Sequence, residues 1–131
     1  MHIETALEML TDQGSRHLVL ISSVPGSRGV PGVKAAYAAS KAGLSSLGES
    51  LRAEHANGPI TVSVMEPGYI ESEMTARSQS TLFLVNNEAG VKSLVAVIER
   101  EPGRAAVPWW PWGPTVALLK VMPLSLTKRF A

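Results

Sequence analysis

The chain has 131 residues, enough for one domain and too few for two domains of ordinary size. Hydrophobic residues make up 45% and charged residues 18%, so the chain can bury a core and does not have the composition of a disordered segment. The net charge of +1 argues against a general nucleic-acid binder, and the absence of cysteine excludes disulfide scaffolds and zinc–sulfur sites. His2, His17 and His55 have no metal-ligand spacing, so we expect no metal site.

Residues 2–13 are predicted to form an amphipathic helix. Four apolar residues have the i, i+3, i+4, i+7 spacing of one helix face: Ile3, Ala6, Leu7 and Leu10. The segment also contains Glu4 and Glu8 and has no basic region before an apolar run. It is therefore not typical of a signal peptide, and we expect a cytoplasmic location.

Strand and helix patterns then alternate along the chain. The predicted strands are Leu18–Ile21, Ile60–Met65 and Arg104–Val107, and the predicted helices cover 35–56 and a segment from about Asn87. This alternation predicts an α/β fold with a parallel sheet and right-handed crossovers. Ligands bind such sheets beyond the carboxyl ends of the strands.

Two loops separate these elements. Residues 24–33 contain Gly26, Gly29 and Gly32, whose spacing differs from that of a phosphate-binding loop, and we interpret them as giving the loop flexibility. Residues 69–86 show no regular pattern and are predicted to be an irregular stretch with several apolar side chains.

A tyrosine and a lysine lie four residues apart on the long helix. Tyr37 and Lys41 project from one face, one turn apart. An ammonium group beside a phenol favours the phenolate, so this tyrosine can exchange a proton with a substrate oxygen near neutral pH. Ser23, at the carboxyl end of the first strand, could donate a hydrogen bond to the same oxygen. The three side chains suit the interconversion of an alcohol and a carbonyl, for which a cofactor must supply the hydride.

These residues occur in an ordered set of segments: Ile21-Ser22-Ser23, then Tyr37-Ala38-Ala39-Ser40-Lys41, then Pro67-Gly68. From Leu18 to Ser72 the chain resembles the active-site half of the short-chain dehydrogenase/reductase family. The resemblance implies a Rossmann fold and hydride transfer between NAD or NADP and a hydroxyl or keto group.

The resemblance also implies roles for individual residues. Tyr37 would be the proton donor or acceptor, Lys41 would favour its phenolate and bind the nicotinamide ribose, and Ser23 would orient the substrate oxygen. Ser23 lies fourteen residues before Tyr37, one more than is usual in the family, and Ser22 is a weaker candidate. The cofactor-binding residues implied by the resemblance are Tyr37, Lys41, Pro67, Gly68, Ile70 and Ser72.

Parts that the resemblance predicts are not found in this sequence. No glycine-rich fingerprint opens a βαβ unit, so we expect a partial Rossmann fold of about three parallel strands with flanking helices, lacking the N-terminal nucleotide-binding half. We treat 1–131 as one truncated domain, with an α/β portion over 1–108 and an apolar C-terminal extension over 109–131. Such a sheet exposes an unpaired edge and apolar helix flanks, which favours association, and we expect a homo-oligomer formed through the 35–56 helix.

Two functions are compatible with the sequence. The first is an NAD(P)-dependent oxidoreductase whose isolated 131-residue chain is inactive. The second is a non-catalytic remnant or a dimerisation module. In the family, the region corresponding to 69–86 is a lid over the substrate, and an apolar lid would favour an apolar alcohol or ketone; ordinary packing is an equal alternative.

The C-terminal extension is strongly apolar. It begins with Trp109-Trp110-Pro111-Trp112, and none of the eleven acidic residues of the chain lies after Glu101. A bilayer span needs roughly 20 apolar helical residues, and the prolines interrupt such a helix. Clustered tryptophan with terminal Lys128-Arg129 suits peripheral contact with a membrane interface. We favour the alternative, a cover over the substrate pocket or a subunit contact.

Overall fold

The computed structural model describes residues 2–13, 16–27, 32–68 and 86–127, and within them three parallel strands form one sheet. The strands are β1 (Arg16–Ile21), β2 (Ile60–Pro67) and β3 (Arg104–Val107), in the order β1-β2-β3. The sequence predicted all three strands, although β1 begins two residues earlier and β2 ends two residues later than predicted.

Helices flank this sheet, as predicted for an α/β fold. They are α1 (His2–Gln13), α2 (Ala35–Glu54), α3 (Asn87–Ile98), α4 (Trp109–Val121) and α5 (Leu124–Thr127). Two short 3-10 turns, Val24–Ser27 and Gly32–Lys34, precede α2. Asn86 caps α3, since its side-chain oxygen accepts a hydrogen bond from the amide of Glu88 at 2.8 Å.

The register aligns the carboxyl ends of the strands. Ile21 pairs with Met65, and Pro67 pairs with Val107, so the residues that follow all three strands meet at one edge of the sheet. This edge is where the sequence analysis places the functional residues.

One face of the sheet is covered by α1 and α2. Six buried residues form its core: Leu18, Leu20, Leu51, Ile60, Val62 and Val64. The predicted apolar stripes of both helices pack against that core: Ile3, Ala6, Leu7, Leu10, Leu44 and Leu47. Alternation along β2 directs Ser63 and Met65 to the opposite face, and both are fully buried there.

The described part of the C-terminal extension is mostly helical, which the sequence analysis did not predict. A kink at Trp110 places Pro111 and Pro114 in the first turn of the regular part of α4, where most amide groups have no helical acceptor. Trp112, Val116 and Leu119 are buried on its inner side and cluster with Val24. Among the described residues, no helix has both the length and the apolar character needed to cross a membrane.

The outer parts of the fold retain apolar surface. Val91 and Val95 of α3 are each 48% exposed, and Ile21 at the end of β1 is 40% exposed. Within the described ranges, β1 pairs only with β2. The expected unpaired edge and exposed helix flank are therefore both found in this part of the chain.

Two glycines of α2 provide a matched test of how closely this helix packs on the sheet. A Cβ on Gly48 would lie 2.3 Å from Cγ2 of Val64, whereas a Cβ on Gly43 would have no atom within 4 Å. We expect Gly48→Ala to lower the free energy of unfolding by about 1–3 kcal/mol, because overpacking forces the helix off the sheet. Gly43→Ala should raise it by up to about 1 kcal/mol, since alanine favours the helix. Chemical denaturation of both variants measures the difference, and equal effects would contradict the close approach at Gly48.

Candidate active site

Two consecutive residues at the end of β1 hydrogen-bond to Lys41, one to its side chain and the other to its backbone. Its Nζ donates a hydrogen bond to the carbonyl oxygen of Ile21 at 3.0 Å. Its own carbonyl oxygen accepts a hydrogen bond from Oγ of Ser22 at 2.8 Å. These two contacts fix both the backbone and the side chain of Lys41 against the carboxyl end of the strand.

Tyr37 lies one turn before Lys41 on the same face of α2. The Lys41 Nζ is 5.8 Å from the centre of the Tyr37 ring, within the range of about 6 Å for a cation–π contact. Tyr37 is 37% exposed to solvent. The structure therefore brings together the predicted tyrosine and lysine, and it leaves the tyrosine accessible.

The two serines after β1 differ in their hydrogen bonds. Ser22 is 3% exposed and donates its single hydroxyl proton to Lys41 at 2.8 Å. Ser23 contacts the carbonyl oxygen of Pro67 at 3.5 Å, a distance at which a hydrogen bond is weak. Ser23 is 8% exposed, and its weak contact leaves its hydroxyl less committed than that of Ser22.

The Pro67-Gly68 turn lies beside the C-terminal helix. The amide of Gly68 donates to the carbonyl of Val107 at 2.9 Å, which extends the pairing of β2 with β3. A Cβ on Gly68 would lie 2.0 Å from the Trp112 indole, so only glycine fits under this ring. A cofactor near this turn would therefore contact Gly68 from the side that Trp112 does not cover.

Gly26 has a different role from the one predicted. We expected it to give flexibility to the loop before α2. A Cβ on Gly26 would instead lie 2.9 Å from the backbone carbon of Lys41, and the amide of Gly26 donates to Ser23 in a tight turn. Close packing of this turn against Lys41, rather than flexibility, requires glycine at position 26. Gly29 lies outside the described residues.

A buried ion pair lies directly before the Pro67-Gly68 turn. Glu66 is 2% exposed, and its Oε1 accepts a hydrogen bond from Nη2 of Arg104 at 2.5 Å. Arg104 also contacts Glu49 of α2, whose side chain is 53% exposed. The hydrogen bond that Arg104 donates to Glu66 is the largest cause that raises the pKa of Arg104 above its ordinary value, and burial of the guanidinium opposes it. Glu66, Arg104 and Glu49 together connect β2, β3 and α2.

The structure covers some of the predicted site residues and not others. Ile70 and Ser72 lie outside the described residues, as do residues 69–85 of the predicted lid. The sequence analysis missed Ser45, Glu66 and Arg104, and it named Trp112 only as part of the apolar C-terminal extension. A glutamate that ends an apolar strand is a signal that could have identified Glu66, since a carboxylate there needs a buried partner.

A second polar cluster resembles a hydrolase triad in its distances. Nε2 of His17 lies 2.7 Å from Oγ of Ser63, and Nδ1 of His17 lies 3.8 Å from Glu101. Ser63 has no exposed surface, however, and a nucleophile must reach its substrate. We interpret the cluster as structural, with His17 satisfying the buried hydroxyl of Ser63.

Comparison with known proteins is consistent with this geometry. The family model of the short chain dehydrogenases matches residues 1–82. The matched segment includes Ser23, Tyr37, Lys41 and the Pro67-Gly68 turn. It ends before α3, β3 and α4.

Relatives share the sequence over nearly the whole chain. An uncharacterized oxidoreductase of Mycobacterium tuberculosis is 71% identical over all 131 residues, which cover 52% of that protein. An uncharacterized oxidoreductase of Myxococcus xanthus is 34% identical over 125 residues, 95% of this chain and 49% of that protein. The chain thus spans about half the length of these curated relatives.

A solved structure has the same fold. A short chain dehydrogenase from Burkholderia cenocepacia, crystallised in complex with NADP, aligns with a TM-score of 0.71 and 21% identity over 88% of this chain and 47% of that one. The similarity identifies the three-stranded sheet and its helices as part of a Rossmann fold.

The buried ion pair gives a prediction for stability. We expect Arg104→Leu to lower the free energy of unfolding by about 3–5 kcal/mol, because it leaves the Glu66 carboxylate buried without its cation. Glu49→Gln removes only the exposed partner of Arg104 and should cost less than about 1 kcal/mol. Denaturant titration measures both changes. The double variant Arg104→Leu/Glu66→Leu should recover most of the loss, and failure to recover would contradict the role assigned to the buried charge.

Proposed function

Because the chain belongs to the short chain dehydrogenase family, we propose that the protein carrying it is an oxidoreductase that uses NAD or NADP to interconvert a hydroxyl and a carbonyl group. The observation that supports this most is the placement of Lys41, held by Ile21 and Ser22, one turn from the exposed Tyr37.

The residues around Lys41 fit a nicotinamide nucleotide. An ammonium group has three protons, and the carbonyl of Ile21 takes one of them. We propose that the other two ammonium protons of Lys41 bind the neighbouring hydroxyl groups of a ribose. Pro67 and Gly68 would pack near the nicotinamide, with Trp112 behind the turn, and Ile70 and Ser72 are proposed to contact its carboxamide. The chain is proposed to supply this part of the cofactor site.

The proposed mechanism assigns one task to each side chain. When bound, the reduced nicotinamide supplies the hydride that adds to the carbonyl carbon. Tyr37 donates its hydroxyl proton to the carbonyl oxygen, which becomes the alcohol, and later regains a proton from solvent. Ser23 donates a hydrogen bond to the same oxygen and orients it. Lys41 stabilises the phenolate that Tyr37 leaves behind. In the oxidation direction each proton moves the opposite way.

The surroundings of Ser23 and Gly68 support an apolar alcohol or ketone as substrate. Val24 follows Ser23 directly and is buried with Trp112, Val116 and Leu119. Trp112 also covers one side of Gly68. Apolar side chains therefore adjoin both loops that carry the proposed catalytic and cofactor-binding residues.

Replacement of the tyrosine tests the mechanism. We expect Tyr37→Phe to reduce turnover of a carbonyl substrate by at least about 100-fold, because the general acid is lost. The affinity for NADPH should change by less than about twofold, since the ring remains. Both quantities are measured on the natural gene product. The decrease in NADPH absorbance gives the turnover rate, and the change in NADPH fluorescence on binding gives the affinity.

The same measurements separate the two candidate functions. Retained turnover in Tyr37→Phe would refute the assignment of this residue. A natural gene product that binds no NADPH would instead support the alternative, a non-catalytic remnant or a dimerisation module. The 131-residue chain by itself is proposed to be inactive and to bind NADPH weakly, since it has no glycine-rich phosphate loop.

Association through α2 is also part of this proposal. The exposed residues near its middle are small, among them Ala39 and Gly43, so a second copy of the helix could pack closely. Light scattering tests the homo-oligomer, and a monomer at high concentration would refute it. The cytoplasmic location stays a prediction from the sequence.

The outer side of α4 is proposed to act as a cover over the substrate pocket or as a contact between subunits. It carries Trp109 and Trp110, which are 68% and 71% exposed, and a shallow apolar groove of about 340 Å³ that includes Leu118. Peripheral contact with a membrane is the alternative.

Vesicle flotation tests which partner meets the outer side of α4. We expect the purified natural gene product not to float with anionic vesicles. Flotation that is lost in a Trp109→Ser/Trp110→Ser variant would instead support membrane contact.

A further inference from the structure

We propose that Ser22, Ser45 and Glu66 form a buried hydrogen-bond relay that positions Lys41, and that Arg104 anchors the relay in the third strand. The inference rests on the proposed function, because it concerns the lysine of that site. It adds positioning residues that do not themselves contact substrate or cofactor.

The relay begins at the backbone of Lys41. Ser22 donates its proton to the Lys41 carbonyl at 2.8 Å, so its oxygen must act as an acceptor toward any other hydroxyl. Ser45 lies one turn after Lys41 and contacts this oxygen at 2.7 Å. Proton counting therefore makes Ser45 the donor in its contact with Ser22, while Ser22 donates to Lys41.

The relay ends at a charged group. Oγ of Ser45 lies 3.3 Å from Oε1 of Glu66, so its single proton is shared between Ser22 and the carboxylate. The same carboxylate oxygen accepts the hydrogen bond from Arg104. Ser22, Ser45 and Glu66 are each no more than 3% exposed, so water does not compete for these hydrogen bonds.

The relay acts on a lysine whose other contacts are already fixed. Its Nζ is bound to Ile21, and Gly26 packs against its backbone carbon. The hydroxyl of Ser22 determines how the helix backbone sits relative to the end of β1. Loss of this contact would let the turn that carries Tyr37 and Lys41 shift, and a displacement of about 1 Å can slow an enzyme by about 100-fold.

A nuclear magnetic resonance experiment tests the relay without measuring activity. Lysine labelled with carbon-13 at the carbonyl and alanine labelled with nitrogen-15 give one peak for each Lys–Ala pair, which in this chain are Lys34-Ala35 and Lys41-Ala42. We expect Ser22→Ala to move the Lys41 carbonyl resonance upfield, and Ser45→Ala to move it less in the same direction. The Lys34 resonance is the internal control, and Ser46→Ala is the matched exposed variant on the same helix.

Single-turnover kinetics on the natural gene product test the consequence for catalysis. We expect Ser22→Ala and Ser45→Ala to lower the rate constant of hydride transfer about tenfold, with Ser46→Ala unchanged. The amplitude of the single-turnover signal reports the fraction of folded protein, whereas the rate constant does not depend on that fraction. A role in stability alone would lower the amplitude and leave the rate constant as it is.

The outcomes separate the relay from the proposed function. An unmoved Lys41 resonance in Ser22→Ala or Ser45→Ala overturns the relay, and so do rate constants within about twofold of the parent protein. A parent protein that transfers no hydride refutes the proposed function, and the resonance of Lys41 then still decides the relay.

Discussion

The close packing of α2 on the ends of β1 and β2 is the constraint on which the candidate site depends. Gly48 brings the helix against Val64 in the middle of the sheet, and Gly26 brings the turn after β1 against the backbone of Lys41. Protein interiors transmit such contacts because they are packed as densely as crystals. With the helix fixed at two points, the positions of Tyr37 and Lys41 relative to Ser23 follow from the backbone.

The polar interior at the same edge of the sheet requires a separate explanation, because burying charge costs free energy unless it is paired. Glu66 and Arg104 pair their opposite charges through a hydrogen bond, and Ser45 provides a further contact to the carboxylate. A well-packed apolar pair of the same volume could be equally stable or more so. These groups therefore contribute structural specificity more than net stability. Hydrogen bonds are directional, so they specify one alignment of β2, β3 and α2 where apolar contacts would tolerate several.

Much of the fold could be predicted from the sequence because the signals are local. Periodicity predicted α1 with its observed bounds, an apolar run located β1, and a β-branched run located β2. The Tyr37–Lys41 pair was predictable for the same reason, since a spacing of four residues on a helix fixes which side chains are neighbours. The helix α4 was missed because its prolines indicate a loop, and only the kink at Trp110 shows that they occupy its first turn.

The rest of the site depends on contacts between residues distant in sequence. Glu66 and Arg104 are 38 positions apart, and Ser22 and Ser45 are 23 apart. No periodicity or motif encodes such a pairing, because it arises only when the strands and α2 have packed. The requirement for glycine at position 26 also comes from its spatial neighbour Lys41, so the local sequence suggested flexibility where the structure has a tight contact.

The inner side of α4 links the C-terminal extension to the candidate site. Trp112 is 3% exposed, covers Gly68 and clusters with Val24, so one indole touches both loops that follow β1 and β2. Moving α4 away would open this cluster and expose the turn beside Ser23. The inner contact is therefore part of the fold, whichever partner meets the outer side. A ligand that changes the position of α4 must act on Val24 and Gly68 together, because the same tryptophan packs against both.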